Sequence, residues 1–257
     1  MHAIISAGGY PKPDESLYPI TQGGNKALID IGGKPMLQWI LDALNGCQRI
    51  EQVILVGLPE GVKVQSHHPL TRVDNHGDLF ENVRAGAETL LRLDPAAEIS
   101  LLLPVDVPAV TTKMIDWMID RINGQPYDIF YSVVERSVME KRYPQSKRTY
   151  THLKGMEICG GDVHAFRPAI AAQDNPLWER ILAARKNPLK QASLVGLDTL
   201  FLLLTRQMTL EQTAAFISRK LGVRGQAVLL PYAEMGMDVD KDFQLEIMRN
   251  ELVKKAK

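Results

Sequence analysis

Short apolar runs and stretches of helical period alternate along the first half of this chain. Residues 3–6 (Ala3-Ile4-Ile5-Ser6) form an apolar run that stops at Ala7-Gly8-Gly9. Residues 53–56, 99–103 and 128–134 are further apolar runs, bounded by Gly, Pro or Asp. Continuous apolar runs of this length predict strands covered on both faces, as in a parallel sheet. Between them apolar side chains recur at helical spacing. Met36, Leu37, Ile40, Leu41 and Leu44 make one face, closed by Asn45-Gly46. Pro35 is suited to the first turn of that helix. Val83, Ala87, Leu90 and Leu91 make a second face, with Asp78 and Glu81 spaced as a capping box. Met114, Ile115, Met118, Ile119 and Ile122 make a third, capped by Thr111 or Thr112 and ended by Asn123-Gly124. A short extended piece is expected at Val62-Lys63-Val64. Strand alternating with helix implies right-handed crossovers and a doubly wound α/β sheet.

The character changes at Glu135. Residues 135–154 are polar and rich in both charge signs, and read as a long excursion or hairpin. Lys141-Arg142 and Lys147-Arg148 lie in it; a solvated charged hairpin is the first reading, contact with an anionic acceptor the second. Residues 163–166 predict a strand. Asp174-Asn175-Pro176 opens a helix carrying Trp178, Ile181 and Leu182, broken at Asn187-Pro188. Residues 194–204 and 209–221 predict two more helices. The second opens on Thr209-Leu210-Glu211-Gln212, a capping box, and closes on Gly222. A strand over 227–230 and a helix over 243–253 complete the chain. The expected organisation is one domain over 1–257, with a first half to 134, a second half from 135 and a helical insertion at about 175–222.

Composition narrows the function. A chain of 257 residues, 45% hydrophobic, is long enough for one sizeable α/β domain or a domain with a subdomain. Its formal net charge of +0 gives no electrostatic footprint for nucleic acid. Two cysteines, Cys47 and Cys159, supply neither a disulfide framework nor metal spacing. No basic segment followed by a long apolar one is read at the N-terminus, and the expected compartment is the cytoplasm. No membrane partner is expected.

Three places carry candidate chemistry. Ala7-Gly8-Gly9 lets the backbone come close to a ligand, often a phosphate, and Lys26 downstream can fold back over the same spot. An ordinary tight strand exit is the alternative on these residues alone. Asp106 stands between Pro104 and Pro108 at the carboxyl end of a predicted strand, where open α/β sheets bind ligands. A turn or capping aspartate is its alternative. Asp238 and Asp240 are two apart, so extended backbone sends both carboxylates to one side, towards a shared cation. With Asp242 they could instead form a helix N-cap cluster. Asp240 is the better placed of the pair to be a cap.

Ala7-Gly8-Gly9, then Lys26-Ala27-Leu28, then Gly33-Lys34-Pro35-Met36-Leu37 resembles the opening of the sugar-phosphate and MobA-like nucleotidyltransferases. The resemblance implies a Rossmann-like, doubly wound, mostly parallel but mixed sheet of GT-A type. It implies transfer of a nucleoside monophosphate from a nucleoside triphosphate to a phosphorylated small molecule, with release of pyrophosphate and a need for Mg²⁺. By the same resemblance Ala7, Gly8, Gly9 and Lys26 hold the triphosphate, and Asn75 and Gly77 approach the base. Asp106 with Asp238 holds Mg²⁺, Asp238 being preferred over Asp240, and Gly160-Gly161-Asp162 lines the acceptor site. The usual arginine after the glycines is missing: Tyr10-Pro11-Lys12-Pro13-Asp14-Glu15 stands there, and Lys12 is the candidate replacement. That departure keeps open a catalytically inactive nucleotide-binding relative. A nicotinamide-dependent Rossmann oxidoreductase is disfavoured, because no third glycine follows at the dinucleotide spacing. An oligomer is compatible with all of these readings.

Overall fold

The computed structural model describes residues 1–172 and 207–255. Eleven strands and eight α-helices lie within them. The helices are α1 (Tyr18–Thr21), α2 (Met36–Asn45), α3 (Leu79–Leu93), α4 (Thr112–Ile122), α5 (Arg136–Arg142), α6 (Pro168–Ala172), α7 (Leu210–Leu221) and α8 (Asp242–Lys255). The small strands β2 (Asp30–Ile31) and β3 (Lys34–Pro35) pair with each other. The other nine build one mixed sheet.

Its parallel part runs β5 (Leu70–Val73), β4 (Gln52–Val56), β1 (His2–Ser6) and β6 (Ser100–Pro104). The chain steps outward from β1 to β4 to β5, then returns to the other side of β1 as β6. That reversal opens a crevice at the carboxyl ends of β1 and β6. The apolar runs are explained by burial on both faces. Ala3, Ile5, Val53, Leu55, Leu101 and Leu103 pack on the face covered by α2 and α4. Ile4, Ile54 and Val56 pack on the opposite face with Val83, Ala87 and Leu90 of α3. Each Ile or Leu so buried contributes roughly 1.5–3 kcal/mol.

The second part centres on β7 (Ile129–Glu135). β11 (Gly225–Leu230) runs parallel along it. β9 (Met156–Gly160) and β10 (His164–Phe166) are both antiparallel to it, β10 also pairing with β6. β9 meets β7 at Val133–Glu135 and β10 meets it at Ile129 and Phe130, so Gly161, Asp162 and Val163 span the break between them. β8 (Thr151–Leu153) closes a hairpin with β9. The polar excursion is thus α5 followed by a β-hairpin.

Several expectations are met and a few are corrected. Asp78 caps α3, accepting from the N–H groups of Phe80 and Glu81. Thr209 and Gln212 form the full capping box of α7, and Gly222 takes the left-handed conformation at its end. Thr111 is the N-cap residue of α4 but makes no side-chain cap; Thr112 Oγ1 instead donates to Ala43 O at 2.8 Å. Val62-Lys63-Val64 is not a strand: the edge position beside β4 goes to Leu70–Val73, whose residues take the full register. Asp240 does not cap α8. The Gln244 side chain accepts from Asp240 N and Lys241 N, and Asp242 N–H donates to Ser16 Oγ. The helices expected around Trp178 and over 194–204, and the break at Asn187-Pro188, lie outside the described residues. No described helix is long and apolar enough to cross a membrane.

Candidate active site

The exit of β1 is packed tightly. Gly57, at φ +86°, faces Gly8 so closely that an added Cβ would lie 2.5 Å from Gly8 Cα. A Cβ on Gly8 itself would lie 2.6 Å from Asn82 Nδ2 and 2.7 Å from Asn75 Oδ1. Asn25, buried, ties this exit to the next turn: its Nδ2 donates to Ala7 O (2.7 Å) and Gly57 O (3.2 Å), and its Oδ1 accepts from Ala27 N. Lys26 follows in a short 3-10 turn, with its N–H on Gly9 O at 2.8 Å. The lysine therefore folds back over the glycines.

Beyond β6, Asp106 C=O accepts from Val239 N–H at 2.8 Å. With Asp162 N–H on Met235 O, also at 2.8 Å, this bond pins the segment after β11 beside Asp106 and brings both Asp238 and Asp240 into one cleft with it. The cleft, about 510 Å³, is lined by Gly8, Gly9, Lys26, Asp106, Asp238 and Asp240, among others. Gly77, Asn82, Asp162 and His164 line it too.

Two cations divide the carboxylates. Lys26 Nζ donates to Asp106 Oδ2 at 2.8 Å and to Asp240 Oδ1. Burial works against the ammonium, but the two carboxylates outweigh it and hold its pKa above the ordinary value. Arg148 pairs with Asp238, donates to Gly160 O at 3.0 Å and lies 3.8 Å from Asp162 Oδ2. Burial, with Asp240 and Asp106 nearby, pushes Asp238 up to about 7 in spite of Arg148. Asp240 is held below the usual carboxylate range, because Lys26 outweighs its burial. Burial, then Asp238 and Asp106, raise Asp162 well above its ordinary value.

His164 is a neutral member of the site. Burial lowers its pKa to about 4, and its Nδ1 accepts from Ser132 N–H at 3.1 Å. Nε2 therefore carries the proton. Tyr131 stacks on the ring, 4.8 Å between centroids.

A family model, the MobA-like NTP transferase domain, matches residues 3–189. The chain belongs to the MobA-like NTP transferase family. It is accordingly a nucleotidyltransferase with the fold of that group. A solved hypothetical transferase from Thermus thermophilus is 30% identical, with a TM-score of 0.79 over 95% of this chain and 98% of that one. A structure of CMP:2-keto-3-deoxy-manno-octonic acid synthetase complexed with CTP shares the fold at 14% identity, with a TM-score of 0.58 over 99% of both chains. Among curated proteins, the 3-deoxy-manno-octulosonate cytidylyltransferase of Brucella canis is 25% identical over 226 residues, 85% of this chain and 86% of its own length.

In this MobA-like transferase the cleft gathers Gly8, Gly9, Lys26, Gly77, Asp106, Asp162, Asp238 and Asp240 from the expected set. Others fall outside its lining. Lys12 is exposed and its side chain is not part of the cleft wall. The Asn75 amide oxygen is used internally, accepting from Gly77 N–H and Asn82 Nδ2. Ala7, Gly160 and Gly161 contribute backbone behind the wall: Ala7 O receives Asn25, and Gly160 O receives Arg148. Arg148 is not on a solvated hairpin. Its side chain is 15% exposed and sits between two cleft carboxylates. Asn82 and His164 had no mark in the sequence beyond a polar residue on an otherwise apolar face or strand.

The donor set fits a hard divalent cation. Asp106 and Asp240 share the Lys26 ammonium, and two such carboxylate oxygens suffice for a hard cation that also takes phosphate and water oxygens. Asp162 Oδ2 is buried without a hydrogen-bond partner. Its near cation is the Arg148 guanidinium at 3.8 Å, and its raised pKa favours a proton there.

Proposed function

We propose that this protein transfers a nucleoside monophosphate from a nucleoside triphosphate to an oxygen of a small-molecule acceptor, a phosphate in the first instance, releasing pyrophosphate. The observation that carries the reading is the meeting of Lys26, Asp106 and Asp240 beside Gly8 and Gly9 at the topological switch of the sheet.

The roles follow from position. Gly8 and Gly9 let the triphosphate approach the backbone, and Lys26 neutralises its oxygens. Gly77 and Asn82, which line the same cleft, are assigned to the base. Asp162 and His164 line the side from which the acceptor attacks, one a carboxyl group and the other a neutral N–H donor. Holding both reactants in line lowers the barrier by proximity, and cationic groups stabilise the dispersed oxygen charge of the transition state. Asp106 and Asp240 would hold Mg²⁺, with Asp238 tied instead to Arg148. Bound there, Mg²⁺ would supply positive charge to the phosphate oxygens. Asp240 replaces Asp238 as the preferred late ligand, because Asp240 is the one that shares a cation with Asp106.

The cytidylyltransferase names of the relatives make CTP the first substrate to try. The test is pyrophosphate release from each nucleoside triphosphate with Mg²⁺, against a panel of phosphorylated and polyhydroxylated acceptors. Release that requires an acceptor and vanishes in Asp106→Ala supports the reading. Release unchanged in that variant overturns it.

A further inference from the structure

The Lys26 ammonium lies between Asp106 and Asp240, 2.8 Å from the Asp106 carboxylate and hydrogen-bonded to that of Asp240. Its side chain is 11% exposed. The backbone does not leave this contact to chance. Lys26 N–H is held by Gly9 O, and Asn25, immediately before it, is locked to Ala7 and Gly57. Asp106 C=O in turn holds Val239 N–H, which fixes the Asp240 segment. Both sides of the ion cluster are thus anchored independently of any ligand.

We infer that Lys26 is an internal counter-ion that competes with the divalent cation for Asp106 and Asp240, and that the triphosphate makes the exchange by drawing the ammonium onto its own oxygens. This rests on the proposed reading of the cleft. Two cations cannot share one pair of carboxylate faces without repulsion, so a metal entering alone must displace an ammonium that gains no new partner. When a triphosphate enters with it, Lys26 moves to phosphate and the two carboxylates are released to the metal. Metal and nucleotide therefore bind with positive coupling, and by linkage each strengthens the other equally. The lysine also keeps the nucleotide-free site from trapping a metal in a geometry that lacks substrate.

The test is Mn²⁺ binding, followed by electron paramagnetic resonance of the free ion, in the absence of nucleotide. Lys26→Met removes the charge and keeps most of the length; Lys26→Gln keeps hydrogen bonding and guards against a folding failure of the first variant. Both are expected to bind Mn²⁺ at least tenfold more tightly than the wild type, while losing affinity for CTP. Adding Asp106→Asn to either variant is expected to abolish the gain. Equal or weaker Mn²⁺ binding in both folded single variants, still dependent on Asp106, overturns the counter-ion inference and leaves the cleft reading standing. Mn²⁺ binding that is indifferent to Asp106 removes the metal site itself, and with it both readings.

Discussion

The cleft holds two cation–carboxylate clusters of the same composition and different standing. Lys26, 11% exposed, sits between Asp106 at 21% and Asp240 at 58%. Arg148 sits between Asp238 and Asp162, with all three side chains at 23% exposure or less. Both clusters put carboxylates in the cleft wall, and the first opens to it through the exposed Asp240. The second is built into the junction of β9, β10 and β11, and Arg148 also satisfies the Gly160 carbonyl. An ion pair open to the cleft can exchange partners at low cost, whereas breaking a buried one leaves a charge stranded. Lys26 is therefore read as machinery, and Arg148 as scaffold that holds the carboxylates at the cleft wall.

That contrast is broken most strongly by Asp106→Ala. Turnover should fall about 10³-fold, in line with loss of one electrostatic element of an active site, while the circular dichroism spectrum and melting transition stay close to wild type. Arg148→Met should do the reverse. It removes the partner of the Asp238 carboxylate and of the Gly160 carbonyl, and the expected loss is about 3 kcal/mol of stability by urea titration. A variant that melts normally yet loses activity would move Arg148 into the machinery.

The paired aspartates sharpen the comparison further. Asp240→Asn should lose most activity with little change in melting temperature. Asp238→Asn should keep measurable activity and change the pH dependence of stability instead. The sign follows from Asp238, pushed up to about 7 when folded from an ordinary value of 3.8. The folded state then binds the proton more tightly, so metal-free protein loses stability as pH rises from about 4 to 7. Asp162, also raised, adds in the same direction. Melting curves across that window should show a shallower slope in Asp238→Asn. An unchanged slope would mean that Asp238 does not carry the proton. The smallest effect is expected from Asn82→Ala. It removes one of two donors to Asn75 Oδ1 and the acceptor of His76 N–H, and should raise the KM for the nucleotide several-fold with kcat nearly constant.

The parallel half was largely legible because its signals are local. Strand burial on both faces writes a continuous apolar run, as in β4 and β6, and a glycine exit or a Pro-flanked aspartate marks the turn that follows. Asp106 and Lys26 could be picked out for that reason. The second half was less legible because its contacts are long-range. Nothing near Arg148 announces that it will meet residue 238, and β9 carries too little alternation to stand out from the polar stretch before it. The preference for Asp238 over Asp240 as late ligand rested on distance from the helix alone, and the pairing of Asp238 with Arg148 and of Asp240 with Lys26 could not be read locally. The helix cap that Asp240 was expected to supply comes from Gln244 and Ser16, the latter 226 positions away from Asp242. Asn75 was expected to approach the base, but its amide oxygen is spent on the loop's own shape, a detail set by Gly77 and by Asn82 seven residues on.

Calorimetric titration asks whether Lys26, Asp106 and Asp240 form one nucleotide–metal site. Wild type, Lys26→Met, Asp106→Ala and Asp240→Asn would each be titrated with CTP, ATP, GTP and UTP, in Mg²⁺ and again in EDTA. The account predicts that the wild type binds at least one of the four in Mg²⁺, with much weaker binding in EDTA and in all three variants. Nucleotide binding that is indifferent to the metal and to all three substitutions, or no binding of any of the four to the wild type, would contradict it.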